Sequence, residues 1–484
     1  MQDVLFIGLD LGTQGVRAML ADTEGRVLAS SSCRYARINA AEGEGKEQAA
    51  YDWEKTAWQV LADLARQAQE RLRDAQVFLA VDGTSGTILP LDREFQPLRT
   101  ALMYNDSRAG EVVPAVHEAA KELETRLGYR MGSSFALPKI LWIRKNQPEL
   151  FEKTRAFVHQ TDYIVGRLCG QYQVTDYANA LKTGYDLLEE RWDEKVWQAL
   201  SLDRSLFPKV VSPGEVIGNI LPEAAAATGL PLTTRIVAGA TDGYAACIAS
   251  GVVQPGQFNS TLGTTLVLKG VTKAFIRDPE GRVYCHKHPD GYWYPGGAGN
   301  VGGLCLNTWF EEARFDEYNA QVPDAVPTGN VIYPLLTKGE RFPFVRPEAE
   351  GFQKVVREDL ISRYAGTMEG VAYTERLCYD TLASLGCEIG EELTITGGAV
   401  KAPVWSQIRA DVLGRRLVEP VVAETAFGGI LLAGSRAMGR SVSEAAEAMV
   451  RIARVFEPDE ARHARYNEYY EEFCVLCRDR GYIQ

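Results

Sequence analysis

The sequence predicts an α/β protein built from two related halves, and three observations support this prediction. Two apolar runs, residues 6–11 and 16–21, flank a glycine turn, which indicates strand, tight turn and strand. Helical spacing of apolar residues over 52–73 is followed by the wholly apolar run 77–81, which is typical of a buried strand. The strand, turn and strand pattern then returns at 257–268, which indicates a duplicated domain.

Length and charge limit the class of protein. A chain of 484 residues exceeds one ordinary core, so two domains or one large α/β assembly are expected. The 52 Lys and Arg residues against 64 Asp and Glu give a net charge of −12, which disfavours nucleic acid or an anionic membrane as the main partner. No basic leader opens the sequence and no apolar run approaches the length of a membrane span, so a cytoplasmic location is expected.

The first glycine turn follows an acidic residue, Asp10. Gly12 and Gly15 permit positive φ or a close approach to the backbone, while Thr13 and Gln14 offer N–H and hydroxyl donors. Such a turn can hold a phosphate with main-chain N–H groups. A carboxylate among phosphates implies Mg²⁺ between them, so Asp10 is a candidate metal ligand. On this stretch alone, a plain hairpin with a turn aspartate is the alternative.

The second half repeats this turn as Leu262-Gly263-Thr264-Thr265, which predicts one phosphate-binding hairpin per half, facing across a cleft. A further glycine pair, Gly397-Gly398, lies at a strand-to-helix turn, where the helix N-terminus favours a negatively charged ligand. Residues 251–256 contain Pro and Gly and are the best linker candidate. We therefore expect an N-terminal domain over 1–250, a C-terminal domain over 251–440, and a helical tail over 441–484 that could pack back on the first domain.

The phosphate-binding motif G-x-x-x-x-G-K-[ST] is absent from the chain, and G-x-G-x-x-G is absent from the first βα turn. Five other features occur in order: Asp10-x-Gly12-Thr13, Asp82-Gly83-Thr84-Ser85, Gly239-Ala240-Thr241-Asp242-Gly243, Leu262-Gly263-Thr264-Thr265, and Gly397-Gly398-Ala399-Val400-Lys401 with Trp405. Together, and over essentially the whole chain, they resemble the FGGY carbohydrate kinases of the actin-like ATPase superfamily.

This resemblance implies two actin-like (ribonuclease H-like) α/β domains of duplicated topology with an active-site cleft between them. It also implies transfer of the γ-phosphoryl group of ATP to a terminal sugar hydroxyl, with Mg²⁺. The site residues carried over by the resemblance are the catalytic base Asp242; the sugar contacts Asp10, Asp82, Ser85, Tyr104 and Asp242; the nucleotide contacts Gly12, Thr13, Gln14, Gly15, Arg17, Gly263, Thr264, Thr265, Gly397, Gly398, Lys401 and Trp405; and the metal ligand Asp10.

Several of these residues have a structural alternative. Asp242 could cap the following helix, and Trp405 could be a core anchor rather than an aromatic beside adenine. Asp82 could be a turn residue at a strand end. Asp106 and Arg108 could touch sugar hydroxyls or form a surface ion pair at a helix start.

The substrate prediction within the family is D-ribulose, converted to D-ribulose 5-phosphate. The stretches that look most like D-ribulose kinases are 82–87, Tyr104-Asn105, 176–185, His286-Lys287, 291–293 and 339–343. D-xylulose, another ketose or a polyol is the alternative, because hydroxyl stereochemistry depends on few contacts. A non-catalytic sugar or nucleotide sensor on the same fold is the alternative from another class.

Two departures from the family pattern concern the nucleotide. Ala402 stands where many members have Ser or Asn, and Ala399 replaces a glycine of close relatives. The resemblance therefore implies one fewer side-chain contact to the nucleotide. The expected partners are a small-molecule sugar and ATP, and the expected assembly is a monomer or homodimer.

Overall fold

The computed structural model describes residues 3–39 and 45–484, which form two compact units. Unit 1 comprises 1–251, 286–291 and 422–450, and unit 2 comprises 252–285, 292–421 and 451–484. Residues 422–450 were expected in the second domain and the tail, but they belong to unit 1. The chain therefore returns to unit 1 twice after residue 251.

The strands in the described part of the chain are β1 (Val4–Leu11), β2 (Gly15–Ala21), β3 (Val27–Arg34), β4 (Glu47–Gln48), β5 (Gln76–Gly83), β6 (Leu89–Leu91), β7 (Ala101–Leu102), β8 (Ala156–Val158), β9 (Val174–Asp176), β10 (Tyr185–Asp186), β11 (Arg191–Trp192), β12 (Lys209–Val211), β13 (Val216–Asn219), β14 (Arg235–Thr241), β15 (Phe258–Leu262), β16 (Leu266–Gly270), β17 (Tyr284–Lys287), β18 (Trp293–Ala298), β19 (Val331–Tyr333), β20 (Phe352–Lys354), β21 (Glu392–Thr396), β22 (Arg416–Pro420) and β23 (Ile452–Phe456).

The α-helices of the same residues are α1 (Ala50–Gln67), α2 (Gln69–Leu72), α3 (Val113–Leu127), α4 (Ala136–Asn146), α5 (Pro148–Lys153), α6 (Gln160–Cys169), α7 (Tyr177–Ala180), α8 (Glu194–Ala199), α9 (Pro222–Thr228), α10 (Asp242–Ala249), α11 (Leu304–Trp309), α12 (Phe315–Ala325), α13 (Leu360–Ser384), α14 (Pro403–Leu413), α15 (Thr425–Met438), α16 (Val442–Met449) and α17 (Glu460–Asp479). Across the described residues, none of these helices has the length and apolarity that a bilayer span requires.

The main sheet of unit 1 has the strand order β13-β14-β5-β1-β2-β3. β1 pairs antiparallel with β2 and parallel with β5, and β5 pairs parallel with β14. Because parallel strands end at the same edge of a sheet, the carboxyl ends of β1, β5 and β14 lie side by side. This edge is where the acidic motifs of unit 1 occur.

Helices cover both faces of this sheet. The apolar side of α1, including the buried residues Trp53, Val60 and Leu64, packs against β2 and β3. Helix α15 packs on β1 and β5. It approaches β1 so closely that a Cβ on Gly8 would overlap the carbonyl of Ala426. This close packing explains why α15, late in the sequence, belongs to unit 1.

Unit 2 repeats the arrangement of unit 1. Its main sheet has the order β17-β18-β16-β15-β21-β22-β23, with β15 antiparallel to β16 and parallel to β21. The predicted duplication is therefore present. The third strand of the second meander is β18, which pairs antiparallel with β16.

The core of unit 2 is centred on α13, which carries two buried carboxylates. Glu375 receives two hydrogen bonds from the buried Arg409 guanidinium, at 2.7 and 2.8 Å, and one from the Ser260 hydroxyl. This ion pair joins α13 to α14 and β15. The tail helix α17 packs against α14 and β19 of the same unit, which differs from the expected packing on the first domain.

Glu369, six residues before Glu375 on α13, accepts hydrogen bonds from neutral donors. It accepts hydrogen bonds from the Thr328 N–H and the Tyr466 hydroxyl, both at 2.9 Å, and from the Thr328 hydroxyl. Burial raises the pKa of Glu369 from its ordinary value of 4.5 to about 7, although these hydrogen bonds oppose the increase. The folded protein therefore retains this proton at pH values where the unfolded chain has lost it.

We predict that Glu369→Gln removes a pH dependence of folding stability. In the wild type, the contribution of Glu369 is fully present below about pH 4.5 and is lost as pH rises to about 7, a difference of roughly 3 kcal/mol. Chemical denaturation at pH 5 and pH 8 measures it. The matched control is Glu122→Gln, because the side chain of Glu122 is 72% exposed. This variant should keep the wild-type dependence of the free energy of unfolding on pH. A slope in Glu369→Gln equal to that of the wild type would contradict the prediction.

Candidate active site

Three carboxylates meet at the shared edge of β1, β5 and β14. Asp10 and Asp82 are direct register partners on β1 and β5, while Thr241, the last residue of β14, is paired with Gly83. Asp242 follows as the first residue of α10. The topology thus brings together three predicted site residues that are far apart in the sequence.

The three carboxylates influence one another electrostatically. Burial, and secondly the charge of Asp242, raise the pKa of Asp10 from 3.8 to about 7, while Arg17 on β2 opposes the shift. Burial raises the pKa of Asp82 well above its ordinary value, and Asp10 adds to the effect. A cluster of this kind favours a proton or a cation, since two nearby carboxylates do not ionise independently.

Asp82 is enclosed by backbone. It has no exposed surface, and its Oδ1 accepts a hydrogen bond of 3.0 Å from the Ala240 N–H. A Cβ on Gly239 would lie 2.8 Å from Oδ1, and one on Gly429 would lie 2.6 Å from Oδ2. Asp82 lies within β5 rather than in a turn at its end, so the turn alternative is wrong.

Asp242 is half-buried and its Oδ1 accepts a 2.6 Å hydrogen bond from the N–H of Gly243. The N-cap position of α10 is occupied by Thr241, so Asp242 is the first helical residue rather than the cap. The positive end of the helix dipole favours the ionised carboxylate at this position. Asp242 is therefore placed to act as a charged group at an accessible helix start.

Several polar atoms around these carboxylates are buried and have no hydrogen-bond partner within the described residues. They are Asp10 Oδ1, Asp82 Oδ2, Ser85 Oγ and Gln160 Nε2. Buried polar atoms are normally paired, so such a group indicates a place where a ligand or water supplies the partners.

Gln160 was not found by sequence reasoning. This fully buried residue begins α6, and its Oε1 accepts hydrogen bonds from the Thr84 N–H at 3.0 Å and the Thr84 hydroxyl at 2.7 Å. It therefore holds the segment that carries Ser85. Nothing in the local sequence indicates a bond across 76 residues.

The first glycine turn connects β1 to β2. The Gly12 N–H donates to the Gly15 carbonyl at 3.0 Å, and the Tyr35 N–H donates to the Gln14 carbonyl at 3.0 Å. Neither glycine has a positive φ; a Cβ on Gly15 would instead overlap the carbonyl of Cys33, so close packing is what requires glycine there.

Two further predicted residues flank this turn. The Thr13 hydroxyl lies 3.5 Å from the hydroxyl of Tyr104, which is 37% exposed. Arg17 is exposed on β2, opposite Asp10 in the register. Asp106 is bonded to Arg108 and to the Lys46 N–H, so the ion-pair alternative is present, with Asp106 buried and Arg108 partly exposed.

Unit 2 contains a cavity of about 630 Å³. It brings together the predicted residues Gly263, Thr264, Gly398, Lys401 and Trp405. Sequence reasoning missed the other residues of the lining, which are Gly303, Leu304, Leu306, Asn307, Glu312, Phe315, Asp316, Asn319, Tyr364 and Met368. In the sequence, these residues are indicated only by the Gly302-Gly303 pair, which precedes a short apolar helix.

Glycines open this cavity. A Cβ on Gly263 or Gly398 would meet no protein atom within 4 Å, although both residues line the cavity. Gly397 has a different role, because its φ of 94° and its contact with the Leu262 carbonyl require glycine for the backbone itself. Neither Gly397 nor Thr265 is among the residues that line the cavity.

Trp405 is both a core residue and part of the cavity lining. It is only 4% exposed, and its indole N–H donates to the Met368 carbonyl at 3.2 Å, as a core anchor would. The ring also forms part of the cavity wall. The cavity therefore has one aromatic wall that is fixed in position.

The next question is which side chains could bind a metal ion. Among the residues the structure describes, no group of three or more His, Cys, Asp or Glu side chains is arranged to hold a metal ion.

Comparisons with known proteins agree with this architecture. Models of the "FGGY family of carbohydrate kinases" match residues 5–249 as the N-terminal domain and 258–437 as the C-terminal domain. A xylulose kinase of Bacillus subtilis is 27% identical over 480 residues, covering 96% of this chain and 95% of the relative. A gluconokinase of Bacillus licheniformis is 25% identical, covering 98% and 95%.

Solved structures match over the same length. The crystal structure of xylulose kinase from Rhodospirillum rubrum superimposes with a TM-score of 0.87 at 25% identity, covering 98% of both chains. The prediction of a two-domain α/β fold of this family is confirmed.

We predict that Gly398→Ala weakens adenine nucleotide binding by roughly tenfold, about 1.4 kcal/mol, because its Cβ would occupy cavity space. The fold should be unaffected, since no protein atom lies in the way. Calorimetric titration with ADP, with thermal unfolding alongside, measures both effects. Gly110→Ala is the matched control, because its Cβ also meets no atom but lies outside the cavity. Equal ADP affinity in the two variants would show the prediction to be wrong.

Proposed function

Since this chain belongs to the FGGY family of carbohydrate kinases, we propose that it phosphorylates the terminal hydroxyl of a ketopentose, with Asp242 as the general base. The observation that carries the proposal is the meeting of Asp10, Asp82 and Asp242 at one sheet edge, beside buried polar atoms without partners. Such an edge offers hydrogen-bonding partners to a hydroxyl-rich molecule and one accessible carboxylate.

Asp242 is suited to accept a proton. It is partly accessible, the N-terminus of α10 favours its ionised form, and its Oδ1 is oriented by the Gly243 N–H. Phosphoryl transfer depends mainly on positioning and charge neutralisation, so one carboxylate within reach of the acceptor hydroxyl is sufficient as base. Asp82 is fully enclosed and is less suited to this role.

The sugar contacts we propose are Asp10, Asp82, Ser85 and Tyr104. Ser85 Oγ and Asp10 Oδ1 are buried without a partner within the described residues, which suits them to sugar hydroxyls, whereas the enclosed Asp82 would reach a hydroxyl only if the backbone around it moved. Tyr104 lies beside Thr13 at the first turn and is partly exposed. Gln160 supports this set by holding the backbone before Ser85.

The nucleotide is proposed to occupy the cavity of unit 2. Its volume of about 630 Å³, its glycine-lined space at Gly263 and Gly398, and the fixed ring of Trp405 suit a flat base and a phosphate chain. Lys401 lines the same cavity and can pair with phosphate. At positions 399 and 402 the lining is alanine, so recognition there depends on backbone and shape.

The residues present also fit Mg²⁺. Asp10 offers a hard carboxylate oxygen that is buried without a partner within the described residues. Mg²⁺ commonly takes only one or two protein carboxylates together with waters and phosphate oxygens, so Asp10 could serve as its protein ligand. When bound, the ion would neutralise phosphate charge during transfer.

Two ketopentoses are candidates. D-Ribulose is favoured by the stretches around Ser85, Tyr104 and residues 176–185, which look most like D-ribulose kinases. D-Xylulose is favoured by relatives that are named xylulose kinase and align over nearly the whole chain. The substrate class is the same for both, since they differ only in the configuration of a hydroxyl.

We predict that Asp242→Asn folds normally, because Asn can still accept from the Gly243 N–H. Its kcat for sugar-dependent ADP release should fall by roughly 10²- to 10⁴-fold, the usual size of a general-base contribution. Sugar affinity should change little. Asp459→Asn at the N-cap of α17 is the control and should keep wild-type turnover. Turnover of Asp242→Asn within twofold of the wild type would rule out Asp242 as the base.

A substrate panel tests the ketopentose proposal. With ATP and Mg²⁺ we expect kcat/KM to be highest for a ketopentose, with D-ribulose above D-xylulose, and lower for gluconate, glycerol and xylitol. A coupled assay of ADP release measures each substrate. A higher value for D-xylulose would move the substrate to the second candidate. A higher value for gluconate or a polyol would contradict the ketopentose proposal itself.

A further inference from the structure

The side-chain amide of Gln48, in β4, makes three hydrogen bonds. Gln48 lies outside the motifs found in the sequence. The residue is 2% exposed. Its Nε2 donates to the Thr13 carbonyl at 2.8 Å and to the Ile38 carbonyl at 2.9 Å. Its Oε1 accepts from the Trp53 indole N–H at 2.8 Å. The orientation of the amide is therefore determined at both ends.

Through Thr13, Gln48 acts on the first glycine turn. The carbonyls of Gln14 and Gly15 accept from the N–H groups of Tyr35 and Gly12. With Gln48 on Thr13, the three successive carbonyls of the turn all accept a donor from the protein. Carbonyl oxygens held in this way do not face an incoming anion, and because C=O and N–H point oppositely in a trans peptide, the Gln48 bond to Thr13 directs the Gln14 N–H away from Gln48.

The second turn uses the same principle with backbone groups. The Gly263 and Thr264 carbonyls accept from the N–H groups of Gly303 at 2.8 Å and Leu304 at 3.3 Å. The Thr265 carbonyl accepts from the Gly263 N–H at 3.1 Å. In the second turn the donors to Gly263 and Thr264 are backbone N–H groups at the start of α11. In the first turn, the side-chain amide of Gln48 is the donor to the Thr13 carbonyl.

We propose that Gln48 is a positioning residue for phosphoryl transfer, which orients the Thr13 peptide so that the first turn presents N–H groups to a phosphate. Trp53 supports it by fixing the amide carbonyl. The inference rests on the proposed function, because it assigns the first turn to phosphate. It assigns no contact between Gln48 and substrate.

Gln48→Met tests the inference, since it keeps the length of the side chain and removes all three hydrogen bonds. We expect kcat to fall at least tenfold while the KM for the sugar stays within twofold. Gln48→Glu should show the same split, because a carboxylate cannot donate to the carbonyls of Thr13 and Ile38. If Gln48 had only a structural role, its substitution would lower thermal stability without a selective loss of kcat over the KM for the sugar.

The matched control is Gln67→Met. Gln67 lies on α1 of the same unit and its Nε2 donates to the Ser30 carbonyl at 3.1 Å, away from the turn. It therefore loses a side-chain to backbone bond of the same kind without touching Thr13. Its kinetics should equal those of the wild type.

A second readout is independent of catalysis. Hydrogen–deuterium exchange of the full-length, unliganded protein should be faster at residues 11–17 in Gln48→Met than in Gln67→Met. If the wild type phosphorylates no sugar, the proposed function fails while this exchange test still decides the role of Gln48 in the turn. Kinetics and exchange of Gln48→Met equal to those of Gln67→Met would overturn the inference.

Trp53→Phe covers the case in which the Gln48 variants do not fold. It removes the N–H that fixes the Gln48 carbonyl, together with part of the buried indole volume, and keeps an aromatic ring in the core. We expect a smaller change of the same kind, with kcat reduced a few fold and faster exchange at 11–17. Unchanged kinetics and exchange in this variant would also count against the inference.

Discussion

The constraint on which the site depends is the orientation of peptide groups in two short turns. A glycine–threonine turn can present either its carbonyl oxygens or its N–H groups to a ligand. In both turns the carbonyls accept hydrogen bonds from the surrounding protein, from Gln48 and Tyr35 in unit 1 and from the residues at 303 and 304 in unit 2. These bonds fix the direction of the turn peptides, so in the proposed function it is the N–H side of each turn that would meet a phosphate.

Close backbone packing determines where the carboxylates lie. Gly8 allows α15 to approach β1, and Gly429 and Gly239 leave space for the carboxylate of Asp82. With the parallel register of β1, β5 and β14, this packing places Asp10 and Asp82 next to each other and Asp242 at the following helix start. A side chain larger than hydrogen at these glycines would displace the carboxylates from that edge.

The features that sequence could predict are local ones. The strand, Gly-Thr turn and strand at Gly12 and Gly263, and the acidic residues at strand ends, are visible as short patterns, and the resemblance to a family extended them over the chain. Gln48 and Gln160 could not be found in this way, because their bonds to Thr13 and Thr84 join residues 35 and 76 positions apart. The return of α15 to unit 1 likewise depends on glycine contacts that periodicity does not report.

The most direct test of the account is a crystal structure of the protein with a ketopentose, Mg²⁺ and a non-hydrolysable ATP analogue. We expect the terminal hydroxyl of the sugar within hydrogen-bond reach of the Asp242 carboxylate, about 2.6–3.2 Å. We also expect the base of the analogue in the cavity lined by Gly398 and Trp405. A sugar bound away from Asp10 and Asp242, or a nucleotide bound outside that cavity, would contradict the account.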